Sequence, residues 1–296
     1  MENSVIGIDI GGTHFRIGTV GEDGGVSDFR KLPVRQVFCT SDPMQDLCDY
    51  LTSYCAGQNP KAFSIGFPAT LDAQRKIVLQ APNVEFMEML PIVDTLSKRF
   101  VSEIFIDRDV TMALRYDFCH YRIPTDGIVC GFYFGTGIGN AIFINGLPLV
   151  GRNGTAGELG HIPFDGSNAL CGCGNQGCAE ALAGGKYLMQ LCETVYKGTP
   201  IDLLFEKHST EPLLRQFIDR MAMVVATEVN ILNPHYILIG GGVPAMQGFP
   251  GERFLERILL HTRRPFPAQD LHIIFTEDND QKSVIGAAIH ARSLMK

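Results

Sequence analysis

At 296 residues the chain is long enough for two α/β lobes, and its 45% hydrophobic content marks a packed globular protein rather than a disordered one. A net charge of −7 argues against a nucleic-acid binder, which needs a basic face, but leaves a small anionic ligand open. No apolar run approaches the roughly 20 residues of a membrane helix. Met1-Glu2-Asn3-Ser4 also lacks the basic start of a signal peptide, so a cytoplasmic protein is expected.

In chain order, 5–10 reads as a buried strand, Gly11-Gly12-Thr13 as a tight turn and 15–20 as a second strand. A third strand, about 26–34, completes an antiparallel meander. Residues 42–54 have helical spacing through Met44, Leu47, Cys48, Leu51 and Tyr54. A short strand at 63–67 ends at Pro68, and helix 90–100, strand 104–106 and helix 110–121 follow. Pro124-Thr125-Asp126-Gly127 reads as a linker between a lobe of residues 1–122 and a lobe of residues 123–296. The pattern then restarts with strand 128–134, glycine turn 135–139 and strand 140–144, and Asn145-Gly146 is a hairpin signal. Helix 212–232 lines up Leu213, Phe217, Met221, Val224, Val225 and Leu232. Strand 236–239 runs into Gly240-Gly241-Gly242, and Ser283 is placed to cap a last helix that could pack back on the first lobe. Two halves of like design imply two α/β lobes facing a cleft, each offering a glycine turn to it.

Glycine turns after buried strands expose backbone N–H groups that can cradle phosphate oxygens. Asp9-Ile10-Gly11-Gly12-Thr13-His14 is one such turn, with Asp9 placed to hold Mg²⁺ directly or through water. Gly135-Thr136-Gly137-Ile138-Gly139 is a second, and Gly240-Gly241-Gly242 suits the nucleoside end. The first is neither a Walker loop, since no Gly-Lys-Ser/Thr follows, nor a dinucleotide fingerprint.

The nine cysteines fit no secreted disulfide framework. Cys39, Cys48, Cys55, Cys119, Cys130 and Cys192 read as buried thiols. His161, Cys171, Cys173 and Cys178 form a His-x9-Cys-x-Cys-x4-Cys set suited to a closed, structural, tetrahedral Zn²⁺ site, with Gly172, Gly174 and Gly177 letting the loop fold tightly. Asp109 stands at the end of a strand and the start of a helix, as a general base would, though an N-cap reading fits the same place and Asp107 could cap instead. Glu158, His161, Glu180 and Asn83 together describe a polyol pocket.

These residues resemble the ROK family (repressor, open reading frame, kinase) of sugar kinases over nearly the whole chain. The resemblance is carried by DIGGTHFR at 9–16, APN at 81–83, Asp109, GTGIG at 135–139, GTAGELGH at 154–161, CGCGNQGC at 171–178 and GGG at 240–242. GFPATLD at 66–72, FIDRDVTMAL at 105–114 and TRRPFPAQDL at 262–271 look most like the D-allose kinases of that family. The resemblance implies an actin-like ATPase fold of two ribonuclease-H-like lobes around a central cleft. It implies Asp109 as catalytic base and sugar contacts from Asn83, Asp109, Glu158, His161 and Glu180. ATP would be held by 7–14 (Asp9, Gly11, Gly12, Thr13, His14), by 135–142 (Gly135, Thr136, Gly137, Gly139) and by Gly241 and Gly242. Zinc would sit on His161, Cys171, Cys173 and Cys178. A homodimer is implied, with neither nucleic acid nor membrane as partner. The family's repressors carry a DNA-binding segment ahead of the kinase-like part, whereas four residues precede the first strand here. Arg108-Asp109-Val110-Thr111 departs from the Asn-Asp pair, with a further Asn two residues on, that many relatives have at this point.

Overall fold

Strands buried on both faces need apolar runs without alternation. The first strand, β1 (Val5–Ile10), is such a run, and all six residues are buried. The computed structural model describes residues 3–164 and 166–295. They divide into two units, the first made of Met1–Ile123, Val150–Ala156 and Asn279–Lys296, the second of Pro124–Leu149 and Gly157–Asp278.

In unit 1, β1 pairs antiparallel with β2 (His14–Val20), which pairs with β3 (Val26–Pro33). After α1 (Val34–Val37) comes α2 (Pro43–Cys55), capped by the Asp42 carboxylate, which accepts from the Gln45 N–H at 3.0 Å. The sheet continues with β4 (Ala62–Phe67), parallel to β1. A small pair, β5 (Thr70–Leu71) and β6 (Val78–Gln80), and α3 (Ile92–Arg99) lead to β7 (Glu103–Arg108), parallel to β4, and then α4 (Asp109–His120). The strand order is β3-β2-β1-β4-β7.

Unit 2 repeats this plan. An antiparallel pair, β8 (Ile128–Phe134) and β9 (Ile138–Ile144), is extended by β10 (Leu147–Pro148). Helices α5 (Glu180–Ala183), α6 (Gly185–Thr194), α7 (Leu204–His208) and the long α8 (Pro212–Leu232) follow. The sheet is completed by β11 (Tyr236–Gly240), parallel to β8, and, after α9 (Gly251–His261), by β12 (Ile273–Phe275), parallel to β11. Its order, β10-β9-β8-β11-β12, matches that of the first sheet in both sequence of strands and polarity.

The last helix, α10 (Lys282–Leu294), packs in unit 1 against β1, β4 and α4. Its approach is close because side chains are missing. A Cβ on Gly286 would run into the carbonyl oxygen of Met112 in α4, and one on Gly7 of β1 into that of Val284.

Several details differ from expectation. Gln281, not Ser283, is the N-cap of α10, because the Ser283 hydroxyl donates to Asp9 instead. Cys39 and Cys119 are exposed and Cys192 half-buried, so the expected burial of lone thiols holds for Cys48, Cys55 and Cys130. On α8 the buried face includes Leu214 and Ile218, with Leu213 and Leu232 only partly covered, since the helix is packed from more than one side. Among the described residues, no helix is long and apolar enough to cross a membrane.

The core of unit 2 holds a polar group behind the sheet. Glu228 of α8 is 4% exposed and accepts at 3.0 Å from Asn140 Nδ2, which also donates to the Gly131 carbonyl. Burial pushes the Glu228 carboxyl up to about 7.

Gly286→Ala tests the α10 contact. In an open helix alanine would gain about 1 kcal/mol over glycine. Here the overpacked Cβ is expected to reverse the sign and cost about 1–3 kcal/mol, read as a lower urea midpoint. The Glu228 group tests the polar core. Its folded pKa lies above the unfolded value, so its stabilising contribution is complete below about pH 4.5 and lost as pH rises through about 7. Urea unfolding between pH 4.5 and 8 should show wild type losing on the order of 3 kcal/mol relative to Glu228→Gln. Parallel pH profiles would refute it.

Candidate functional site

Strand ends set the geometry of unit 1. Asp9 pairs in register with Gly66 of β4, and Gly66 with Asp107 of β7, so the two carboxylates lie along one edge of the parallel strands. The Asp9 carboxylate is 8% exposed, and burial raises its pKa against the opposing pull of Arg16. Its Oδ2 accepts from Arg16 Nη1 and from Ser283 Oγ, each at 3.0 Å, which makes Oδ1 the atom through which a cation could be held.

The turn after β1 is closed by the Gly11 N–H on the His14 carbonyl at 3.0 Å. Gly12 and Thr13 are exposed, and among the described residues nothing accepts from their amides. A Cβ on Gly12 would lie 2.8 Å from the Asn83 carbonyl oxygen, so the fold brings the exposed Asn83 against this turn.

Asp109 is the first residue of α4. The N-cap is Arg108, in extended conformation and with no side-chain cap bond, so neither aspartate caps the helix. Asp109 instead sits in the first helical turn, where the macrodipole favours an anion. Its Oδ1 accepts from the Val110 N–H at 2.7 Å. Gly66 lies beneath it, where a Cβ would be 3.4 Å from the Asp109 Cα. Asp107 belongs to the strand, with Oδ1 at 3.2 Å from Arg75 Nε and Oδ2 at 3.6 Å from His290 Nε2.

In unit 2 the turn between β8 and β9 is also closed by its first glycine amide, over a shorter span. The Gly135 N–H donates to the Gly137 carbonyl at 3.1 Å, and the Gly135 and Thr136 carbonyls accept from Gly185 and Lys186 at the start of α6. Among the described residues nothing accepts from the amides of Thr136 and Gly137. Gly139 lies in the ladder opposite Tyr133. Glu180, expected as a sugar contact, is held against this turn, with its Oε2 accepting from the Ile138 N–H at 2.9 Å. Its Cβ also lies 3.5 Å from the Cβ position of Gly160, so it neighbours the 157–161 segment as well. Gly241 backs onto the Phe134 backbone at the start of the same turn, and Gly242 is exposed beside it.

His161 closes a short 3-10 turn, Leu159–His161. Its two ring nitrogens face different ways. Nδ1 is 3.5 Å from Cys171 Sγ, and Nε2 is 3.6 Å from Glu158 Oε2. Cys173 and Cys178 sulfurs are 3.7 Å apart, and one donor atom from each of the four residues lies within 4.8 Å of the others. A tetrahedral Zn²⁺ with ordinary bond lengths has S···S edges of about 3.8 Å and S···N edges of about 3.6 Å, so the donors fit that ion. The loop is closed by Cys171–Asn175 and Phe164–Gly177 backbone bonds. Gly172 takes no positive φ, unlike Gly174 and Gly177.

Arg75 is marked by nothing in the sequence, Ser283 reads there only as a helix cap, and Arg108 only as a departure from relatives beside Asp109. Each acts on a partner distant along the chain.

Known proteins resemble this chain in sequence and in fold. The chain is 28% identical to a glucokinase of Thermotoga maritima, covering 81% of this chain and 82% of that one. It is 28% identical to an N-acetyl-D-glucosamine kinase of Yersinia pseudotuberculosis, over 80% and 83% of the two chains. A ROK family glucokinase from Streptomyces griseus, solved with glucose and AMPPNP, superposes with a TM-score of 0.78 at 24% identity, over 98% of this chain and 100% of that one. The mixed α/β fold with two sheets is thus the actin-like one expected. With the family's sequence pattern matched over residues 5–293, the chain belongs to the ROK family.

Proposed function

We propose that this protein is an ATP:hexose phosphotransferase that phosphorylates the primary hydroxyl of a hexose, and that the hexose is D-allose. The observation that carries the phosphoryl-transfer reading is the matched pair of turns. Each leaves two consecutive amides, those of the exposed Gly12 and Thr13 and those of the exposed Thr136 and half-buried Gly137, without a protein acceptor among the described residues. Phosphate oxygens are acceptors of the kind such amides need. Relatives named glucokinase and N-acetyl-D-glucosamine kinase support the sugar class. The segments at 66–72, 105–114 and 262–271 support allose within it. Glucose, fructose, N-acetylmannosamine and β-glucosides are the competing substrates.

In this reading the Asp109 carboxylate accepts the proton of the primary hydroxyl as its oxygen bonds to the γ-phosphorus. The bond from that phosphorus to the β–γ bridging oxygen breaks, and hexose 6-phosphate and ADP leave. Because the transition state is loose, the chain's main work is positioning and charge stabilisation. Asn83, Glu158, His161 and Glu180 bind sugar hydroxyls, and Gly241 and Gly242 border the nucleoside. Asp9 would hold Mg²⁺, which would supply charge neutralisation at the phosphate oxygens. His161, Cys171, Cys173 and Cys178 would hold Zn²⁺ as a structural clip for the loop, and the His161 Nε2 faces Glu158. Nine unpaired thiols suit a reducing cytoplasm.

A coupled ADP-release assay over a hexose panel tests the activity, with D-allose expected to give the highest kcat/KM. Asp109→Asn should lower kcat by at least about 100-fold while keeping the fold and metal content. Near-wild-type turnover would refute the base assignment. A chain that bound operator DNA at physiological salt and consumed no ATP would instead be a sugar-responsive regulator. For the metal, chelator-free protein should contain about one zinc per chain. Cys178→Ser should lose it and lower Tm, and zinc-free wild-type protein of unchanged Tm would refute the site.

A further inference from the structure

Arg75 and Arg108 have no part in the chemistry above, yet both guanidinium groups are drawn in from solvent. Arg108 is 8% exposed, and its Nη1 donates to the Ala156 carbonyl at 2.7 Å. Arg75 Nη1 donates to the Gly154 carbonyl at 3.1 Å, while its Nε faces Asp107 Oδ1 at 3.2 Å. That same Oδ1 accepts from the Arg108 backbone N–H at 2.7 Å. Two arginines thus hold two carbonyls of one strap, residues 150–156. Both are fastened to the strand end that runs directly into Asp109.

The strap is shaped for this grip. It folds back on itself, with the Ala156 N–H on the Val150 carbonyl at 3.1 Å. Gly154 has φ +80°, and a Cβ there would lie 2.7 Å from Arg75 Nη1 and 3.1 Å from the Leu71 carbonyl oxygen. Only glycine combines that backbone with so close an approach. A planar guanidinium with several fixed donors suits a grip that must also keep its orientation.

The strap packs with unit 1, and the chain from Gly157 onward packs with unit 2. Glu158 stands two peptide links beyond Ala156, so its Cα can lie no more than about 7.6 Å from the anchored residue. His161 follows through the 3-10 turn, its N–H on the Glu158 carbonyl at 3.0 Å.

We propose that Arg75 and Arg108 are positioning residues for hexose recognition. They clamp the strap that leads into Glu158 and His161 to the strand end that carries Asp109, and they act on the sugar through those groups rather than by touching it. The inference rests on the sugar-kinase reading above.

The test uses the full chain with Arg108→Gln, Arg108→Lys, Arg75→Gln, the Arg75→Gln/Arg108→Gln pair and Gly154→Ala. A misplacement of about 1 Å can cost about 100-fold, so Arg108→Gln should raise the hexose KM by roughly 10-fold or more, with the KM for ATP unchanged. Arg108→Lys should recover part of the loss. The double variant should fall short of the product of the singles, because both arginines serve one strap. Across a series of deoxyhexoses the penalty of Arg108→Gln should persist whichever hydroxyl is removed. A penalty that vanished with one deoxy sugar would show direct contact and overturn the proposal, as would a wild-type hexose KM. Hydrogen exchange at the Ala156 amide supplies a readout independent of activity. It should speed up in Arg108→Gln, and unchanged protection would overturn the clamp. Loss of the kinase reading itself would show in the wild-type arm, as absence of turnover on every hexose, while the exchange arm still decides the clamp.

Discussion

A carboxylate can be buried only if a partner is brought to it, and in unit 1 one helix brings a partner to each of three. From α10, Ser283 reaches Asp9, Lys282 Nζ reaches Asp117 at 2.6 Å, and His290 faces Asp107. Burial pushes the His290 pKa down, against the opposing pull of Asp107. Farther along, Arg292 donates to the Val20 and Gly21 carbonyls at 2.8 and 2.7 Å. None of these contacts could form if α10 stood off by a side chain's width. The missing Cβ atoms at Gly7 and Gly286 therefore set the spacing for the ends of β1 and β7, beside which Asp9 and Asp109 stand.

Unit 2 uses the same strand plan with different fastenings. Its glycine turn is held from the side by α6 amides on its carbonyls and by the Glu180 carboxylate on the Ile138 N–H. The turn's own bond on Gly135 and the Glu180 bond on Ile138 account for the flanking amides, and among the described residues nothing accepts from the two between them. Those amides are thus left over by construction rather than by looseness. On the other side of the sheet, Asn140 ties β9 to β8 and to Glu228, and Gly157 seats against Asn140.

Much of this was legible because it is local. Apolar runs and their period placed β1, β8 and α8, and helical spacing over 42–54 placed α2. His161, Cys171, Cys173 and Cys178 were readable as a donor set at fixed spacing. The helix start at Asp109 was also readable, but whether an aspartate capped it was not, since both residues fit the preference and only the backbone angles decide. What escaped notice acts over distance. Ser283 was read as a cap because serine favours that place, yet its partner lies 274 positions away. Glu180 was assigned to sugar alone because nothing local shows that its carboxylate reaches an amide 42 positions back. Arg108 was visible as a departure from relatives, while its acceptor, a main-chain carbonyl, leaves no mark in the side-chain pattern.

The placement of α10 also bears on how the chain is born. Unit 1 starts with the first strand and is complete only when residues 279–296 have been made, whereas every residue of unit 2 comes earlier. At synthesis rates of about 5–20 residues per second, the growing chain spends roughly 10–40 s with β1, β4 and β7 available but their covering helix unmade. During that interval Asp9, Asp107 and Asp117 lack their α10 partners, and the apolar strip that α10 covers is bare. The second unit can close around its own core in the meantime. A nascent chain stalled in this window would expose sheet rather than helix, which makes the last 18 residues the stretch whose timely arrival matters most for escaping aggregation.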